Sequence, residues 1–318
     1  MKITIKISQF LGVFILIFIF FSISSSFAFA AKPSPQIVVG ANLKEYRPPR
    51  GAHCDINVPS QYTTIQAGVN AAVDGNTVCV GAGTYNEDVL ISKSIQLSGS
   101  GASKTTIDGQ DPNASGTVYI TAKNVIVEGF LIHGVGNNRG TAAVRQFELV
   151  YNSIIRYNRI VAGNGQLAFL TDNAQNNNLV QNNILEGNNS PDIAKVNAFD
   201  SNKPTDKVDF LNNIFTGTVS PTSWQTEAFV LDAGAPDSLI QQNVFNATGT
   251  MVAVVVSNNS SVIHENNFNS GTIIKVGGGW GPPALNAENN WWGDLDPSDN
   301  IQGSVDFTPF ATSPFKEN

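Results

Sequence analysis

Apolar positions along this chain come in short runs of two to four, each set off by asparagine and glycine. One stretch organises the pattern: Gln181-Asn182-Asn183-Ile184-Leu185-Glu186-Gly187. Related copies are Tyr157-Asn158-Arg159-Ile160-Val161-Ala162-Gly163, Leu211-Asn212-Asn213-Ile214-Phe215-Thr216-Gly217, Gln241-Gln242-Asn243-Val244-Phe245, Glu265-Asn266-Asn267-Phe268-Asn269-Ser270-Gly271 and Glu288-Asn289-Asn290-Trp291-Trp292-Gly293. Glu128-Gly129-Phe130-Leu131-Ile132-His133-Gly134 is a weaker early copy. With Leu131, Ile160, Ile184, Ile214, Val244, Phe268 and Trp291 as reference positions, the spacings are 29, 24, 30, 30, 24 and 23 residues. A period of this size marks a solenoid or propeller.

A short apolar run bounded by Asn and Gly reads as a buried strand. One coil per repeat, stacked at about 4.8 Å, places equivalent residues above one another. Stacked Asn side chains then form an internal hydrogen-bonded ladder, and stacked Ile, Val and Phe fill the core. Asn also tolerates the left-handed backbone of a sharp corner. The pattern therefore predicts an all-β, single-stranded parallel β-helix. A helical solenoid is disfavoured, because Asn and Gly are poor helix residues.

The ends read differently. Apolar residues at 62, 65, 69, 72 and 73 predict an amphipathic helix over 62–73, ending at Asp74-Gly75-Asn76. A solenoid end exposes core and strand edge, so this helix is the expected N-terminal cap. Strands are expected at 77–80, 89–91 and 94–99, with a turn over 81–87. The resulting division is 1–30 leader, 31–50 Pro-rich arm, 51–110 cap and first coils, 111–293 coils, and 294–318 C-terminal cap. Segments 186–206 and 217–237 contain Pro191, Pro204, Pro221 and Pro236 and are expected to interrupt the coil.

Lys2 and Lys6 precede the apolar run Phe10–Phe21, and Ala28-Phe29-Ala30 offers a cleavage site. This reads as a secretory signal peptide, with an uncleaved anchor as the alternative. No other run is long and apolar enough to span a bilayer. The net charge is −7; losing the two leader lysines leaves 16 − 25 = −9. Without a basic block, nucleic acid is not an expected partner. Cys54 and Cys79 in an exported chain read as one disulfide, with two free thiols as the alternative. His53, His133 and His264 are too scattered for a metal site, so no metal ligand is assigned.

Tyr62-Thr63-Thr64-Ile65-Gln66-Ala67, Gly81-Ala82-Gly83-Thr84-Tyr85-Asn86-Glu87 and Thr106-Ile107-Asp108-Gly109 together resemble the opening of right-handed β-helix proteins of the pectin lyase-like superfamily. Asn289-Asn290-Trp291-Trp292-Gly293 resembles the last coil of bacterial parallel β-helix repeat proteins. The resemblance spans about 55–310 and implies a right-handed parallel β-helix. It also implies an extracellular or periplasmic glycan as partner.

It does not select an activity. Gly83 to Glu87 matches the G-x-Y-x-E element of pectin methylesterases, which has a structural role in that family; that family's catalytic Gln, Asp and Arg stretches are missing. Thr171-Asp172-Asn173 stands without the Asp-Asp and Gly-His-Gly elements of polygalacturonases, and the Asp-Pro-His-Asp signature of alginate epimerases is absent. A lyase would need a base and carboxylate neutralisation; pectate lyases use Ca²⁺ and Arg. The available residues are Arg145, Arg156, Arg159, Asp172, Asp200, Asp206, Asp209 and Asp232, of which Asp232 and Arg145 follow apolar strands and are the catalytic candidates. Arg156 and Arg159 are expected on different faces. Trp280, on a Gly-rich loop, is the candidate for stacking on a sugar face.

Two function classes stand. One is a binding or structural surface protein, without cofactor. The other is a polysaccharide-active enzyme, lyase-like or pectinesterase-like, for which Ca²⁺ is a possible cofactor. They differ in one feature: a sheet face bearing at least two Asp and one Arg or Lys from neighbouring coils.

Overall fold

The computed structural model describes residues 37–43, 53–147, 150–172, 177–197, 207–221, 228–233, 237–249, 252–256, 260–269, 273–276 and 283–318. The leader 1–30, Asp200, Asp206 and Trp280 lie outside these residues.

Three long sheets of parallel strands run the length of the chain. The central coils contribute one strand to each, and the first sheet extends further at both ends. The first sheet has eleven strands, from Ile56–Val58 through Asn178–Gln181 and Val208–Leu211 to Val305–Asp306. The second includes Gly83–Asn86, Leu131–His133, Ile184–Ser190 and Ile214–Val219. The third includes Gly116–Ile120, Ala142–Phe147, Leu167–Asp172, Asp192–Asn197, Ala228–Ala233 and Val252–Val256. Inward positions form one continuous core, with Val118, Val144, Phe169, Ala194 and Leu231 on the third sheet fully buried.

The corner between the first and second sheets is built from asparagine. Asn158, Asn183, Asn213, Asn243, Asn266 and Asn290 are completely buried, one per coil. Each carboxamide oxygen accepts the backbone N–H of the preceding rung; Asn183 donates to Asn213 Oδ1 at 3.0 Å and Asn213 to Asn243 Oδ1 at 2.8 Å. Each Nδ2 donates back to a first-sheet carbonyl, as Asn213 does to Val180 O at 2.8 Å. The left-handed residue is the one before each ladder Asn: Tyr157, Asn182, Asn212, Gln242, Glu265 and Asn289, with φ of 53–58°. A second polar stack holds the corner between the third and first sheets. There Ser153 accepts from Val125 N, Asn178 from Ser153 N and Ser261 from Ser238 N.

Behind the Asn ladder runs an aromatic stack. Phe215, Phe245 and Phe268 lie with ring centroids 4.8 Å apart, and Trp292 follows at 5.0 Å.

Several sequence expectations shift. Ile160 and Phe268 are not equivalent to Ile184 and Val244: Arg159 pairs with Ile184, and Asn267 with Val244. The buried Asn sets the register, and a slip of one residue turns every side chain to the other face. Segment 81–87 is not wholly a turn, because Gly83–Asn86 is a second-sheet strand. Segments 186–206 and 217–237 carry the strands Ile184–Ser190, Asp192–Asn197, Ile214–Val219 and Ala228–Ala233.

The helix is Ile65–Ala71, shorter than 62–73, with Thr64 as N-cap. Glu87 accepts from the Ile65 and Gln66 N–H groups at 2.8 Å each, so the Gly83-to-Glu87 element closes the start of this helix. Lys93 Nζ donates to Asn70 O and Ala72 O at 2.6 Å, closing its other end.

Cys54 and Cys79 form a disulfide across 25 residues, joining the entry segment to the strand Thr77–Val80. Its removal in a Cys54→Ser/Cys79→Ser variant is expected to cost about 3 kcal/mol, mainly by freeing the unfolded chain. Urea melts of the oxidised protein and the variant measure the difference.

In the arm, Val39 and Ala41 are buried, and Val38–Val39 pairs in parallel with Lys316–Glu317. Gly40 N donates to Gln242 O, and Asn318 Nδ2 to Gly40 O. The two ends of the described chain are thus fastened to each other and to the second sheet. Phe307 and Phe310 of the tail pack on the core.

Candidate functional site on the third sheet

Parallel stacking brings distant residues into columns. On the outer face of the third sheet, Tyr119, Arg145, Leu170, Lys195 and Asp232 stand on successive rungs. Two residues along, Phe147, Asp172 and Asn197 form a second column.

The charged members pair across rungs. Arg145 donates from Nη2 to Asp172 Oδ2 at 2.7 Å and from Nε at 3.1 Å. Asn197 holds the other oxygen of Asp172 at 2.6 Å. The Arg145 guanidinium also lies 5.2 Å from the Phe147 ring and 5.9 Å from the Tyr119 ring. Lys195 Nζ contacts Asp232 Oδ2 at 2.5 Å. The exposure of these four side chains is 11–17%, so the pairs are held in place and still reach solvent.

Asp192 is the unusual member. It begins the strand Asp192–Asn197 and is fully buried. Arg139 Nε donates to its Oδ2 at 2.9 Å, while Oδ1 makes no hydrogen bond. Burial pushes its carboxyl above the usual carboxylate range; Lys195 and Arg139 pull the other way, and the Asp232 charge adds to the rise. A fully buried carboxyl whose pKa is raised, beside a second carboxylate, is the kind of group that clusters at functional sites.

Both sequence candidates, Arg145 and Asp232, fall on this face. Their partners Asp172 and Lys195 come from neighbouring coils, and the sequence offered no means of pairing them. Asp192, Arg139 and Lys195 were missed. Asp192 carried one weak signal, a carboxylate at the head of the apolar strand Ile193-Ala194. The remaining candidates go elsewhere. Arg156 bonds Glu128 on the first sheet and Arg159 bonds Glu186 on the second, so they do face apart. Asp209 faces Lys207 and accepts from Leu239 N. His133 contacts Asp108 on the second sheet. The carboxylates of the third sheet are each held by a cation, and no group of three His, Cys, Asp or Glu among the described residues is arranged to hold a metal ion. No described helix is long and apolar enough to cross a membrane.

No protein-family model matches the chain. A cell surface glycoprotein of Methanothermus fervidus is 34% identical over 85 residues, which is 26% of this chain and 14% of that protein. Among solved structures, the pectin methylesterase from carrot superposes with a TM-score of 0.51 at 16% identity, covering 82% of this chain and 89% of that one. The rice weevil pectin methyl esterase gives 0.47 at 14% identity over 84% and 92%. A PL6 family polysaccharide lyase from Pseudopedobacter saltans gives 0.41 at 15% identity over 74% and 62%. With its three parallel sheets and the carrot superposition, the chain has a right-handed parallel β-helix fold, as the carrot enzyme does.

Proposed function

We propose that this chain works at the cell surface or outside the cell, binding an acidic polysaccharide along the outer face of the third sheet. One observation carries the reading: Asp172, Asp192, Asp232, Arg145 and Lys195 gather on the rungs of one sheet, and Arg139 reaches Asp192 from the segment before Ala142–Phe147. A uronate carboxylate can exchange with Asp172 or Asp232 for the guanidinium or ammonium beside it. Tyr119 and Phe147 offer rings to a sugar face. The surface location is supported by the disulfide and by the name of the archaeal relative.

Asp192 favours a second reading, turnover of the bound polysaccharide. Its side chain is fully buried with one carboxylate oxygen left without a hydrogen bond, an arrangement that a passive binding surface does not need. The test is to incubate the protein with pectin, polygalacturonate, alginate and neutral glycans, following retention and products by mass spectrometry. Retention on an acidic polymer without products supports binding alone. Products that vanish in Asp192→Asn, with retention kept, establish turnover. Absence of both on every polymer sinks both readings. The raised pKa adds a stability signature. The folded state binds the Asp192 proton more tightly than the unfolded state, so stability falls as pH rises from about 3.8 through the raised value. Asp192→Asn is expected to remove that fall.

A further inference from the structure

Asparagine is abundant here, and eight of the described asparagines are buried, six of them in the ladder. None of the ladder asparagines is followed two residues later by Ser or Thr, nor are buried Asn178 and Asn267. The Asn-x-Ser/Thr pattern falls instead on Asn113-Ala114-Ser115, Asn188-Asn189-Ser190 and Asn246-Ala247-Thr248, and all three leading asparagines are exposed. Two further copies, at Asn258 and Asn259, lie outside the described residues.

The three share one place in the coil. Asn113 lies between the second-sheet strand Thr105–Asp108 and the third-sheet strand Gly116–Ile120. Asn188 lies at the end of Ile184–Ser190, where the register shifts between Gly187 and Ser190, just before Asp192–Asn197. Asn246 follows Val244–Phe245 and precedes Val252–Val256. All three therefore occupy the corner from the second to the third sheet. The Asn-ladder corner and the outer face of the third sheet carry none among the described residues.

We infer that Asn113, Asn188 and Asn246 are N-glycosylated, so that one corner of the β-helix is dressed with oligosaccharide while the ionic face stays open. The inference rests on the extracellular reading above. The donor is a lipid-phosphate-linked oligosaccharide. The Asn Nδ2 forms a bond to the anomeric carbon, the bond from that carbon to the lipid phosphate oxygen breaks, and the amide proton leaves as the phosphate departs with its electron pair. No oxidation or reduction occurs. A bulky hydrophilic chain suits an exposed corner and is excluded from the ladder, where the amide is consumed by hydrogen bonds.

The experiment is glycopeptide mass spectrometry on the protein recovered from its own cells. The compartment and the redox state of Cys54 and Cys79 are recorded on the same material. Oligosaccharide on all three asparagines is expected. Thr248→Ala is expected to lose one glycan mass and Thr248→Ser to keep it. Extracellular, disulfide-bonded protein with the three asparagines bare overturns the inference alone. Intracellular protein with reduced cysteines overturns the location, and the inference with it.

Discussion

Replacing Asn213 with alanine is expected to destabilise the protein by about 3–5 kcal/mol. The side chain accepts from the Asn183 backbone N–H at 3.0 Å and from Asn183 Nδ2 at 3.1 Å. It donates to Val180 O at 2.8 Å and to Asn243 Oδ1 at 3.1 Å. Alanine leaves a buried N–H and a buried carbonyl without partners, in a region no water reaches without opening the coil. Each such group costs about 1–3 kcal/mol, more than the net worth of the bond it made. Asn213→Asp keeps an acceptor and loses the donor to Val180, and it buries a charge, so it is expected to do no better. Exposed Asn86→Ala serves as the control and is expected to stay within about 0.5 kcal/mol. Urea denaturation of the three variants decides the matter. Equal midpoints for Asn213→Ala and Asn86→Ala would mean that the ladder does not hold the coils.

Phe245→Ala is expected to cost about 3–5 kcal/mol, from lost burial and the cavity left behind. Its ring is stacked between Phe215 and Phe268, with interplanar angles of 10° and 7°. The gap lies between rungs whose backbones are fixed by the neighbouring ladder, so the walls have little freedom to collapse. Phe245→Leu retains most of the volume and is expected to cost markedly less. Because each coil contacts mainly its neighbours, the loss falls on the C-terminal coils first. Hydrogen exchange is expected to show Val262–His264 opening well before Ile126–Glu128.

The architecture was legible because the constraint that builds it is local. A left-handed residue, the buried Asn after it and an inward apolar residue two positions beyond that Asn recur in six coils, and each is a demand of the backbone at that corner. Register was less legible. In the copy at Tyr157-Asn158-Arg159-Ile160 the outward residue after the ladder Asn is Arg159, and in Glu265-Asn266-Asn267-Phe268 it is Asn267. Hydrophobicity points to the next residue in both cases, which faces inward. The left-handed position is likewise hidden, since Tyr157, Gln242 and Glu265 fill it as well as Asn does.

The site was legible only in part. Arg145 and Asp232 could be named because each follows an apolar strand. Their meaning depends on residues 27 and 37 positions away, Asp172 and Lys195, which stacking alone makes neighbours. Asp192 looked like an ordinary polar residue after Pro191, and only its burial, with one oxygen unpartnered, sets it apart.

The central claim is that the third sheet, not the second, is the working face. Affinity electrophoresis in gels containing polygalacturonate, pectin or alginate tests it most directly. Arg145→Gln/Lys195→Gln alters the third sheet; Arg159→Gln alters the exposed Arg159–Glu186 pair of the second sheet and serves as the control. With folding verified by circular dichroism, the account predicts at least a tenfold weaker retention for the third-sheet variant on the polymer that retains the native protein. The control is expected to match the native protein. Equal retention of all three proteins, or loss confined to Arg159→Gln, would contradict it.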